Sequence, residues 1–312
     1  MFVPPFMLAR QIMSLHWRSH GRAGWNIVTA LDGHENFGLP AMPSSEERYA
    51  RAAEYTEVVR LLWQSFPEES LKRNRESECY ADPSQIRSLN HTGSQFSVKG
   101  PLNLPAFGRA PIPLVQAGAS EVGRNFASSI ADAIFAATPD VEAATDLRRD
   151  LRQRAEGHGR RADDIRLLPG LSLYLAPTRK EAEELFAFTH ARGDRNRKIV
   201  HILKLPGLDL ADWPEDRRIT AADLPSDLPA GASKTHAELL RRVIVREEPL
   251  LPDLLGRPEV IGSGHWQIVG TVDDAVQEIS AWADAGAIDG FITTRADRPA
   301  QWHLPWKHSC RG

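Results

Sequence analysis

The chain has 312 residues, 42% of them hydrophobic and 25% charged, an ordinary globular composition with enough apolar material for a large core. A formal net charge of -3, with Lys and Arg spread along the chain, argues against a nucleic-acid partner. No apolar run reaches the roughly 18 residues of a membrane span, and the first seven residues have no basic segment and are broken by Pro4 and Pro5, unlike a secretory signal. Cys79 and Cys310 form no CxxC pair and read as free thiols of a reducing, cytoplasmic compartment.

In chain order, Leu8, Ile12 and Leu15 share one face and predict a helix over residues 5–19. Residues 23–29 form a short apolar run, predicted as a buried strand. Gly33, Gly38, Pro40 and Pro43 make residues 31–43 a loop. Ser44 or Ser45 then caps a helix reaching about Phe66, with Glu47 at the capping-box spacing from Ser44. Tyr49, Ala52, Ala53, Val59, Leu62 and Trp63 are its predicted apolar contacts. Residues 67–110 carry no long helical pattern, and 91–100 alternate as a short hairpin. Strands are then predicted at 112–117, 132–137 and 165–175, each followed by a helix, at 121–130, 140–156 and 178–190. Residues 191–233, rich in proline, break this rhythm and read as an insertion, either a lid or a disordered linker. A helix at 234–247, a strand at 266–269, a helix at 272–285 and a strand at 289–293 complete the pattern. Strands alternating with helices predict a parallel sheet covered by helices.

Two strings stand out. Gly21–Thr29 reads as a strand running into a loop. Val115-Gln116-Ala117-Gly118-Ala119-Ser120-Glu121-Val122-Gly123 reads as a strand, a turn of small residues and a helix start. A helix N-terminus with amide donors and a hydroxyl suits a phosphate. Spacing alone also allows Ser120 to be an ordinary N-cap.

With these strings the chain resembles the bacterial luciferase-like flavin monooxygenases, and within them the nitrilotriacetate monooxygenase component A branch and its relatives acting on organosulfur compounds and alkanes. Further matching strings are Asn36-Phe37-Gly38, Arg48-Tyr49-Ala50, Tyr80-Ala81-Asp82-Pro83, His91-Thr92-Gly93, Leu168-Pro169-Gly170, Gly270-Thr271-Val272-Asp273 and residues 285–291, in family order over about 5–293. The resemblance implies an α/β fold, a (β/α)8 TIM-barrel-like architecture with the active site at the carboxyl ends of the strands. Placing the fourth strand at 23–29 and the eighth at 289–293 gives one domain over 1–312, with strands four to eight and the insertion. The expectation is thus a barrel incomplete at its N-terminus. It is also divergent after Thr294, where Trp302, His303, Trp306, His308 and Cys310 replace a closing helix.

The resemblance further implies reduced FMN, supplied by a separate NAD(P)H:flavin reductase, and O2 as co-substrate for oxidising a small organic molecule. Ser120 is then a phosphate ligand, with the amide of Glu121 beside it and Gly118 allowing close approach. Tyr49 reaches the same phosphate, and Asn26 faces the flavin ring. Four residues before Tyr49, where the family usually carries His, stands Ser45, which cannot carry a proton near neutral pH. The rival expectation is a non-catalytic barrel remnant with residual phosphate binding or a role in assembly. Apolar strand faces left uncovered predict aggregation or self-association, a homo-oligomer being one form of it. His16 and His20, spaced HxxxH without a zinc-protease glutamate, predict no metal. Arg148, Arg149, Arg152 and Arg154 among acids read as a solvated helix face.

Overall fold

The computed structural model describes residues 2–30, 32–108, 110–190, 194–229, 232–261 and 264–294. The tail from Arg295 onward, with its Trp, His and Cys residues, lies outside the described residues. By its contacts the chain divides into two compact units. The first comprises Met1–Ala117 and Glu121–Asp132, the second Gly118–Ser120 and the chain from Ala133 onward.

The first unit opens with α1 (Pro5–Arg18), started by a proline at its first position and burying Ala9, Met13 and His16 at helical spacing. Then come β1 (Trp25–Ile27) and α2 (Ser45–Gln64). Ser44 caps α2: its hydroxyl accepts from Glu47 N at 3.2 Å, and its own amide donates to Glu47 Oε2 at 2.8 Å. Two antiparallel ribbons follow, β2 (Leu71–Asn74) with β3 (Cys79–Ala81), and β4 (His91–Thr92) with β5 (Ser97–Val98). β6 (Leu114–Ala117) runs parallel to β1, and α3 (Glu121–Ile130) completes the unit. The core gathers Trp25, Ile27 and Leu114 from the strands with Ala9 and Met13 of α1 and Ala52, Tyr55, Val58, Val59 and Leu62 of α2. Trp63 Nε1 donates to Ala9 O at 3.0 Å and ties the two helices together. Ala53, predicted as a contact, is exposed; Tyr55 and Val58 lie on the buried face instead.

The second unit contains β7 (Ala133–Ala136), α4 (Val141–Gly157), β8 (Arg166–Leu175), α5 (Arg179–His190), α6 (Arg195–Lys204), α7 (Lys234–Glu247), α8 (Leu251–Leu255), α9 (Pro258–Ile261), β9 (Trp266–Gly270), α10 (Val272–Asp284) and β10 (Ile292–Thr294). Among the described residues these strands pair in parallel. β8 meets β7 along residues 166–169, β10 along 170–172 and β9 along 171–175. Asp140 caps α4 through Ala143 N at 2.8 Å, and Thr271 with Asp274 forms a capping box on α10.

Three features differ from the sequence reading. The insertion is neither wholly irregular nor a linker. Asp194 starts α6, and Ile199 and Ile202 pack with Leu208, Leu210 and Ile219 against Leu240, Val243 and Ile244 of α7 and the short α8 and α9. The proline-rich composition of 205–233 hid that core. The last strand begins at Ile292 rather than 289, because Asp289 is held as an anchor: its carboxylate accepts Leu167 N at 2.9 Å. Finally, Arg148 is no solvated-face residue. It forms a two-pronged pair with Asp289, at 3.1 Å and 2.6 Å, and donates to Gly286 O at 2.9 Å. Burial pushes the Asp289 carboxyl up, but the bonds from Arg148 and Leu167 outweigh it and hold it below the usual range.

Candidate functional site

In the first unit, alternation along β1 sends Trp25 and Ile27 into the helix-covered core and leaves Asn26 exposed on the other face, opposite Val115 in register. Tyr49 stands one turn into α2. Its ring lies 5.5 Å from that of Phe126 on α3, and its hydroxyl lies 3.4 Å from Gln116 Nε2. Gln116 is 1% exposed; Nε2 also donates to Ala117 O at 2.6 Å, and Oε1 is buried with no donor. Ser45 is the first residue of α2, and Ser44 supplies the cap. Glu121 opens α3 with its carboxylate paired to Arg124 at 2.9 Å, so its side-chain charge is already matched.

In the second unit, Gly118 has φ +99°, a conformation that L side chains rarely adopt, and nothing lies within 4 Å of where a β-carbon would stand. Its amide donates to Phe135 O of β7 at 3.2 Å, which fixes the turn that leads into α3. Ser120, half-buried, directly precedes α3. The sequence assigned no role to His265, whose ring lies 5.3 Å from that of Phe135 and whose Nδ1 is buried without a hydrogen-bond partner. A β-carbon at Gly170 would run into this imidazole, which explains the glycine of the Leu168-Pro169-Gly170 string. Burial, helped by the nearby His236, pushes His265 below the ordinary imidazole range. Thr138, just past β7, has a buried hydroxyl without a hydrogen-bond partner.

His16 is buried with its ring edge-on to Phe107, whereas His20 is exposed beyond the helix end at φ +53°. Among the described residues no group of three or more His, Cys, Asp or Glu side chains could hold a metal ion. No helix among them is long and apolar enough to cross a membrane. Cys79 is a free, half-buried thiol.

Within the first unit, the start of α3 is the kind of helix N-terminus whose amides suit an oxyanion. Gln116 Oε1, a buried acceptor with no donor, is the kind of orphan that a ligand or ordered water completes.

Parallel strands feeding helices, with a glycine–serine turn between a strand's carboxyl end and a helix start, define an α/β protein of the TIM-barrel-like class. The chain belongs to the luciferase-like monooxygenase family, whose model matches residues 1–288. It is 32% identical over 297 residues to N-acetyl-S-(2-succino)cysteine monooxygenase of Bacillus subtilis (strain 168), covering 92% of this chain and 65% of that protein. It is 32% identical over 292 residues to nitrilotriacetate monooxygenase component A of Aminobacter aminovorans, covering 92% of this chain and 63% of the relative. Among solved structures, riboflavin lyase (RcaE) with modified FMN and its substrate riboflavin superposes with a TM-score of 0.76 at 27% identity, covering 95% of this chain and 64% of that one. The chain therefore spans about two thirds of the length of the curated relatives it matches.

Proposed function

We propose that this chain acts as an FMN-dependent monooxygenase of the two-component type, oxidising a small organic substrate with O2. The observation that carries the proposal is the Gly118–Glu121 turn, which brings an unobstructed glycine and a serine to the start of α3. The Ser120 hydroxyl, the Glu121 amide and the Tyr49 hydroxyl would hold the phosphate dianion, favoured there by the positive end of the helix dipole. Gly118 lets the backbone approach the ligand, and Asn26, able to donate and to accept, faces the ring. Reduced flavin, when bound, supplies the O2 chemistry. The protein's part is to hold the phosphate, orient the ring and keep water out.

The words "component A" in a relative's name support a separate NAD(P)H:flavin reductase as partner. A cytoplasmic location fits a supply of reduced flavin. A single barrel-derived domain is supported by the family model, which runs through both units. The two curated relatives differ in the substrates they are named for, so membership of the family does not fix this chain's substrate.

One observation favours a second reading, flavin binding without coupled turnover: Ser45 occupies the position where the resemblance leads one to expect His. Two measurements separate the readings. Titration of FMN by fluorescence quenching tests binding, and comparing oxidised substrate with released peroxide, under supplied reduced FMN and O2, tests coupling. Absence of FMN binding sinks both readings; binding with peroxide alone leaves only the second.

A further inference from the structure

We propose that Gln116 is a positioning residue that sets the polarity of the Tyr49 hydroxyl, making Tyr49 a donor toward the phosphate; this rests on the FMN reading above. The direction of the buried amide decides which way the Tyr49 hydroxyl points. Gln116 points to the helix-covered side of β6, 1% exposed, in register with the buried Ile27. One end of its amide lies 2.6 Å from Ala117 O. If the amide were reversed, two carbonyl oxygens would meet at that distance, so the nitrogen must face Ala117. The same nitrogen lies 3.4 Å from the Tyr49 hydroxyl oxygen. Its second hydrogen is therefore directed at Tyr49, which accepts.

A phenol has one hydrogen to give. With its oxygen accepting from Gln116, Tyr49 has no need to donate inward, and its O–H is free to point at an external acceptor. An anion at the helix start is such an acceptor. The ring stays in place by packing on Phe126, so Gln116 acts on the direction of the proton and not on the position of the ring. The arrangement leaves Oε1 buried and unpartnered. An ordinary packing role would be met at lower cost by Leu or Met at this strand position.

The test is FMN affinity, read by fluorescence quenching, in the full chain carrying Gln116→Leu, Gln116→Glu, Tyr49→Phe and the two double variants, with the thermal midpoint checking the fold of each. Gln116→Leu is expected to weaken FMN about three- to tenfold, the size of one hydrogen bond. The same change in the Tyr49→Phe background should cost nothing further. Gln116→Glu should weaken FMN more than Leu does, because a carboxylate accepts the Tyr49 hydrogen and turns it inward. Riboflavin, which has no phosphate, should compete equally with all variants. If Gln116→Leu does not fold, Gln116→Glu and its double variant carry the same cycle. Additive losses, unchanged FMN affinity or equal losses for riboflavin would overturn the proposal while leaving the FMN reading in place. A wild-type chain that binds no FMN overturns that reading, and this proposal with it.

Discussion

Two glycines in the matching strings are needed for different physical reasons, and paired substitutions separate them. Gly118 sits at φ +99° with open space where a side chain would be, so Gly118→Ala pays only for backbone conformation, about 1–2 kcal/mol. Gly170 lies directly under the His265 ring, so Gly170→Ala is a steric conflict. His265→Ala should therefore rescue the thermal midpoint of Gly170→Ala and leave Gly118→Ala unrescued. Equal behaviour of the two pairs would show that the His265 contact does not decide the need for Gly170. Removing one donor from a charged acceptor costs about 1–3 kcal/mol, so Ser120→Ala should weaken FMN binding by that amount. Unchanged affinity would remove Ser120 from the phosphate.

At the scale of elements, Glu54 holds the β4–β5 ribbon to α2. Its carboxylate receives His91 Nε2 at 3.1 Å, Ser94 Oγ at 2.9 Å, and the amides of Gln95 and Phe96, both at 2.9 Å. Partial burial pushes this carboxyl up, but those four hydrogen bonds outweigh it and hold it at about 2. A depressed carboxyl contributes stability that is present above its unfolded value, about 4.3, and is lost as pH falls toward the folded one. Exchange protection of the Gln95 and Phe96 amides should accordingly drop between about pH 4.3 and pH 2, and Glu54→Gln should abolish that dependence. Protection that is flat across this window would rule out the clamp. This clamp was not legible in the sequence, since it joins residues about forty positions apart. What was legible is local. The Ser44–Glu47 box, the helix at 121–130 and the alternation of parallel strand and helix follow from spacing and caps within a few residues. The Arg148–Asp289 anchor and the amide of Gln116 were missed for the same reason as Glu54, because partners brought together by folding leave no periodic mark. A polar residue inside the apolar run Val115–Ala117 was the one available hint of Gln116.

For the whole molecule, the question is what covers the apolar strand residues that each unit leaves exposed. Val28, just past β1, is 53% exposed in the first unit, and Phe291 and Ile292 at β10 are each 38% exposed in the second. Scattered exposed side chains are normal, but these stand on or beside parallel strands, which ordinarily have both faces covered. The proposed flavin oxygenation also requires that water be kept from the flavin. We propose that copies of the chain associate and so meet both demands. Sedimentation velocity should show concentration-dependent association, reduced by Val28→Thr and Ile292→Thr. The fraction of reduced FMN spent on substrate oxidation, rather than on peroxide release, should rise over the same concentration range. A chain that stays monomeric throughout would refute the association. A product-to-peroxide ratio independent of concentration would show that each copy excludes water unaided, and the exposed strand residues would then have no part in the chemistry.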